Sequence, residues 1–113
     1  MKFLALALLF LGESTVIYAE ELGAKLYAAT GNFGLTIVHT LIPLIIGALF
    51  LVIAYMLGLK YFQNIWIITA VSFGSILLVE PLFNFFYIGQ SPTLGAGLGS
   101  VFGILGILSA LFL

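Results

Sequence analysis

Leu35–Leu59, LTIVHTLIPLIIGALFLVIAYMLGL, is a run of twenty-five residues without a formal charge. At 1.5 Å per residue a helix of this length extends about 37 Å, enough to cross a hydrocarbon core of about 30 Å with some tilt. Its polar features are His39 and the proline at Pro43, which leaves the carbonyl of His39 without its helical partner and predicts a kink. A single histidine supplies at most one haem or metal ligand, and the chain contains no other, so His39 reads as an interfacial or locally hydrogen-bonded residue.

C-terminal to this run, Lys60-Tyr61-Phe62-Gln63-Asn64 is a short polar turn, and a second apolar run continues to Ile88, interrupted by Glu80 and Asn84. The two runs predict an integral membrane helical hairpin, with helices over 35–59 and 62–88. On a helical wheel Thr69, Phe73, Ile76, Glu80, Asn84 and Tyr87 share one face of the second helix. An acid at membrane depth must face protein, a cavity or water, which makes Glu80 the leading intramembrane polar candidate. Its structural alternative is a hydrogen bond to Asn84 or to another helix. Pro81 predicts a bend.

Gly89-Gln90-Ser91-Pro92 reads as a turn, with Ser91 as N-cap and Pro92 in the first helical position. A third apolar helix, 93–113, carries Gly95, Gly99, Gly103 and Gly106 along one edge. Two overlapping small-xxx-small motifs there predict close approach by another helix. A phosphate-cradling reading of Gly95–Gly99 fails, because no strand precedes it and no lysine comes after it.

N-terminal to the hairpin, Met1-Lys2 and the run FLALALLFL have the charge and length of a secretory signal, and Val16-Ile17-Tyr18-Ala19 predicts cleavage after Ala19. The alternative is an uncleaved anchor that has to accommodate Glu13. Residues 20–29, EELGAKLYAA, suit a short amphipathic helix with a Glu21–Lys25 pair at i,i+4. Asn32 is a candidate N-cap for the first spanning helix. The predicted organisation is therefore all-α, a leader over 1–19 and one helical membrane domain over 20–113. The lone lysine of the hairpin turn places that turn in the cytoplasm and Glu20 and Glu21 outside.

Composition narrows function by exclusion. Charged residues make up 6% of the chain, far below the quarter usual for soluble domains, and arginine, aspartate and cysteine are missing. Too few cations exist for one subunit to build a nucleic-acid-binding face, so no direct sequence-specific nucleic-acid binding is expected. Disulfides, thiolate metal sites and cysteine nucleophiles are ruled out. No Ser/His/Asp set, carboxylate pair or metal cluster can be assembled, which argues against an autonomous enzyme and against a metal or other catalytic cofactor.

The leader, the small apolar remainder, the hairpin Ala54-Tyr55-Met56-Leu57-Gly58-Leu59-Lys60 and Val71-Ser72-Phe73-Gly74 in its second helix resemble the major pilins of conjugation and type IV secretion systems, including archaeal DNA-transfer pilins, over about residues 20–88. The resemblance implies a self-assembling structural subunit found in the cell membrane and in an extracellular filament, with copies of itself and membrane lipid as partners. It further implies that Lys60 and Gln63 line the filament lumen near the headgroups of bound phospholipid. Glu80-Pro81 and the third helix depart from that pattern. Other readings stay open: a non-catalytic accessory subunit of a respiratory or other energy-transducing membrane complex, a rotor-ring proteolipid carrying its ion on Glu80, and a holin-like pore-former, and the partners then include other subunits of a secretion system or membrane complex.

Overall fold

The computed structural model describes residues 1–113, apart from the side chain of Leu111. It is all-helical: α1 (Lys2–Thr30), α2 (Phe33–Phe62), α3 (Ile65–Phe83), a π-helical segment (Asn84–Ile88) that continues α3, and α4 (Leu94–Phe112). Among the described residues three stretches, Lys2–Thr30, Phe33–Phe62 and Ile65–Ile88, are long and apolar enough to cross a membrane.

At the N-terminus the stretch read as a leader, 1–19, and the amphipathic stretch, 20–29, are not separate helices: α1 runs through both as one helix of 29 residues. Nothing between Leu11 and Thr30 stops a helix. The region contains no proline, and the hydroxyls of Ser14 and Thr15 are satisfied inside the helix by donating to the carbonyls of Phe10 and Leu11 at 2.8 and 2.7 Å. Termination comes at Gly31, whose φ of 66° is left-handed and costs a glycine little. Asn32 then caps α2, its Oδ1 accepting from the Leu35 N–H at 3.0 Å.

The hairpin turn is tighter than the sequence implies. Lys60 is not in it. It lies in the last turn of α2, where a cation meets the negative end of the helix dipole. Only Gln63 and Asn64 connect the helices. Gln63 takes the left-handed conformation at φ 59° and donates its N–H to the Leu59 carbonyl, and Asn64 caps α3 through the Trp66 N–H. The cap of α4 is likewise Thr93, whose Oγ1 accepts from the Ala96 N–H at 3.1 Å, and not Ser91. Ser91 and Pro92 stay in the extended connection.

Pairwise contacts fix the arrangement. Gly12 meets Leu51, Val16 meets Gly47 and Gly23 meets Thr40, so α1 and α2 are antiparallel. Gly74 faces Ile107 and Leu77 faces Gly103, so α3 and α4 are antiparallel too. Lys2 sits 5.3 Å from the centre of the Phe62 ring, and Lys25 sits beside Tyr87, so α1 and α3 run in the same direction. Among the described residues α4 packs on α3, and its backbone does not come close to that of α1 or α2. The result is a slab of 45 × 34 × 17 Å, one to two helices thick at about 10 Å per helix.

Small residues dominate the interior. The buried positions of α2 are Thr36, Thr40, Gly47, Ala54 and Gly58, which repeat at steps of four and seven. The core proper is Leu9 of α1 against Ala54 of α2 and Ile68 of α3. Large side chains point outward instead, with Ile42 at 70% exposure. In a bilayer this inversion is expected, because lipid is as apolar as leucine and helices associate by close packing and interhelical hydrogen bonds.

Candidate functional site

The polar residues of the chain fall into a buried lock, an acidic group and an open cleft. In the lock, Glu13, only 8% exposed, accepts a hydrogen bond on Oε1 from the Ser72 hydroxyl, joining α1 to α3 at membrane depth. Sequence reasoning misses this pair and treats Glu13 only as an obstacle to an anchor helix. The buried residues of α3 are Ile68, Ala70, Ser72, Ser75 and Val79, and of these Ile68 and Ser72 meet Leu9 and Glu13 of α1. The wheel face assigned from sequence, which includes Thr69, Phe73 and Glu80, lies beside them, and Phe73 is exposed.

The chemistry of the lock can be tested directly. Glu13→Gln keeps a carbonyl that accepts from Ser72 and is expected to leave stability unchanged within about 0.5 kcal/mol. Glu13→Ala removes it, and a double-mutant cycle with Ser72→Ala is expected to give a coupling of about 0.6–2 kcal/mol in detergent unfolding. Zero coupling would remove the lock.

Glu80 is half-buried and, among the described residues, shares no side-chain hydrogen bond with Asn84, contrary to the structural alternative drawn from sequence. The main-chain N–H of Asn84 donates instead to the carbonyls of Glu80 and Pro81. Glu20 and Glu21 of α1 and Glu80 of α3 are the remaining acids of the chain. Among the described residues no three acidic or histidine side chains converge as metal ligands would.

His39 is exposed on α2, and its Nδ1 lies 2.8 Å from the Leu35 carbonyl. A carbonyl only accepts, so Nδ1 carries the proton in this contact. This is the local hydrogen bond expected from sequence. Lys60 lies 5.5 Å from the centre of the Tyr61 ring, and both it and Gln63 are exposed at the α2–α3 end of the slab.

The cleft lies at the other end, between α1 and the start of α4. It measures about 750 Å³ and is lined on its polar side by Glu21, Lys25, Asn84, Gln90, Ser91 and Thr93. Lys25 does not close on Glu21. Its Nζ donates to the Tyr87 carbonyl at 3.1 Å and rests 4.3 Å from the centre of that ring. The π-helical turn exposes this carbonyl: the N–H groups of Gly89 and Gln90 both converge on the Asn84 carbonyl. Tyr18, Phe83 and Tyr87 form a cluster of tilted rings, with centroids 6.0–6.3 Å apart, that ties α1 to the end of α3.

Among the described residues, of the predicted glycine edge on α4 only Gly103 is used within the chain, with Leu77 3.2 Å from where its Cβ would stand, and Gly95, Gly99 and Gly106 have nothing within 4 Å in that direction. The close glycine contacts occur elsewhere, between Gly12 and Gly47 and between Gly58 and Ile68. No protein-family model, curated protein or solved structure matches the chain.

Proposed function

We propose that this protein is a non-catalytic structural subunit that assembles with copies of itself in the membrane, of the pilin-like kind that builds a conjugation or DNA-transfer filament with bound lipid. The observation that carries this reading is α4. It is a 19-residue apolar helix that, among the described residues, is held to the rest of the chain by α3 alone, with the edge formed by Gly95, Gly99 and Gly106 open. At Gly12, Gly47 and Gly58, by contrast, a neighbouring helix occupies the space beside the glycine. An open edge of the same kind fits a helix from another molecule. Met1, Lys2 and Lys60 gather at one end of the slab, which by the positive-inside bias is the cytoplasmic end, leaving Glu20, Glu21 and Lys25 on the outer side. In a filament of this kind Lys60 and Gln63 would face lipid headgroups in the lumen.

Gly99→Leu is the test. Because nothing lies within 4 Å of its Cβ position, the monomer tolerates the side chain. Overpacking a close interface costs about 1–3 kcal/mol, roughly five- to 150-fold in association. The expected result is a folded protein that no longer forms oligomers by light scattering in detergent and yields no filaments when the cell surface is sheared. If Gly99→Leu assembles normally, the edge is not the interface. If the wild-type chain is monomeric and purifies with a larger complex, the accessory-subunit reading takes its place.

A further inference from the structure

We infer that an apolar groove between the outer halves of α1 and α2 receives α4 of a second copy of this chain, so that each copy gives one edge and takes another. The inference rests on the self-assembly reading and supplies its second surface. A filament needs two different faces on every subunit. If the glycine edge of α4 met the same edge of a neighbour, the pair would close on itself and growth would stop. The receiving face therefore lies elsewhere on the chain, concave, largely apolar and at the depth of the glycine edge.

The groove meets these terms. It measures about 580 Å³, with Ala19, Gly23 and Ala24 of α1 on one side and Thr36, Ile37 and Leu44 of α2 on the other, and Glu20 is its one charged residue. Depth follows from contacts within the chain. Glu13 meets Ser72 of α3, and Leu77, five residues farther out on α3, meets Gly103 of α4. At 1.5 Å per residue Gly99 then stands about 13 Å outward of the Glu13–Ser72 level, and Gly23, ten residues beyond Glu13, stands about 15 Å outward of it. The spans agree too: Gly95 to Gly103 and Ala19 to Tyr27 are each eight residues apart, about 12 Å of helix. Copies that share one orientation in the membrane therefore bring edge and groove level. α2 and α4 both start at the outer end, so the seated helix runs parallel to α2 and antiparallel to α1. Charge fits as well, because of α1 to α4 only α4 has no charged residue. Among the described residues the chain's own α4 stays on α3 and leaves the groove to a neighbour.

The chain has no cysteine, so disulfide trapping reads the contact directly. Two differently tagged full-length chains, Gly99→Cys in one and Ile37→Cys in the other, are co-expressed and oxidised in membranes with copper phenanthroline. A disulfide forms only where the two Cβ atoms come within about 3.5–4.5 Å. Ile42→Cys is the reference, on the same half of α2 but outside the groove and 70% exposed. The expected result is a mixed dimer about tenfold more abundant with Ile37→Cys than with Ile42→Cys. One chain carrying both Gly99→Cys and Ile37→Cys is expected to give a ladder of multimers. Ala24→Phe fills the groove from an exposed position and is expected to remove the ladder while leaving helix content unchanged. Self-linked Gly99→Cys dimers in place of the mixed dimer would overturn the inference in favour of paired edges, with self-assembly intact. Oligomers by light scattering without the mixed dimer, or a ladder that survives Ala24→Phe, would overturn it too and leave self-assembly standing. A chain that is monomeric by light scattering and traps no dimer removes both.

Discussion

Gly47→Val is expected to cost about 3 kcal/mol or more of stability, the largest effect of any single substitution in this chain. A Cβ on Gly47 would stand 2.8 Å from Val16 Cγ2, 3.0 Å from the Val16 main-chain nitrogen and 3.2 Å from the Gly12 carbonyl oxygen. The first of these neighbours can rotate away. The other two are helical backbone and move only if α1 and α2 separate. Separation would not be local, because α1 also carries Leu9 into the core and Glu13 to Ser72. The control is Gly99→Val, whose Cβ has nothing within 4 Å among the described residues and which is expected to change monomer stability by no more than about 0.5 kcal/mol. Unfolding both variants in detergent with a denaturing surfactant decides the matter. Equal losses would mean that the crossing of α1 and α2 at Gly12 and Gly47 is not the tight point of the fold.

That contrast also marks how much the residues alone reveal. The membrane helices are legible because length and lack of charge leave few alternatives for Leu35–Leu59, and Asn32 is legible as a cap from its place before an apolar run. Which faces pack is not legible. In a soluble helix the buried face is the apolar one, but here lipid and protein interior are equally apolar, so the wheel containing Glu80 points beside the buried stripe. The usable signal is size: Thr36, Thr40, Gly47, Ala54 and Gly58 recur at steps of four and seven, as do Ala5, Leu9, Gly12 and Ala19 with one step of three. The glycine run of α4 is more conspicuous than either, yet among the described residues only Gly103 of it is used within the chain. Glu13 misleads for a related reason. A charge just past a short apolar run looks like the end of a leader, and only the tertiary fold supplies Ser72 as its partner. The cleft is invisible from sequence because it is formed by a gap between the first helix and the last.

A chain that begins at Glu20 is expected to be unstable as a monomer, and this bears directly on whether residues 1–19 are removed. Truncation leaves α1 as eleven residues, Glu20 to Thr30, about 16 Å of helix. It strips Leu9 from Ala54 and Ile68, and deletion of one packed leucine side chain alone costs about 2–5 kcal/mol in a core. It also strips Gly12 from Gly47 and Glu13 from Ser72. The Ser72 hydroxyl has a fallback in its own helix, of the kind Ser75 already uses by donating to the carbonyl one turn earlier. The bare backbone at Gly47 has none and must be covered by lipid, poorly, or by another helix. If processing precedes assembly, the covering helix comes from a neighbouring copy, and the melting temperature of the truncated chain then rises with protein concentration in detergent while that of the full chain stays fixed. A truncated chain as stable as the full one at every concentration would show that residues 2–19 contribute nothing to the core, against the burial of Leu9, Glu13 and Ile17. The alternative, instability that no concentration repairs, would identify these residues as a permanent part of the fold rather than a leader.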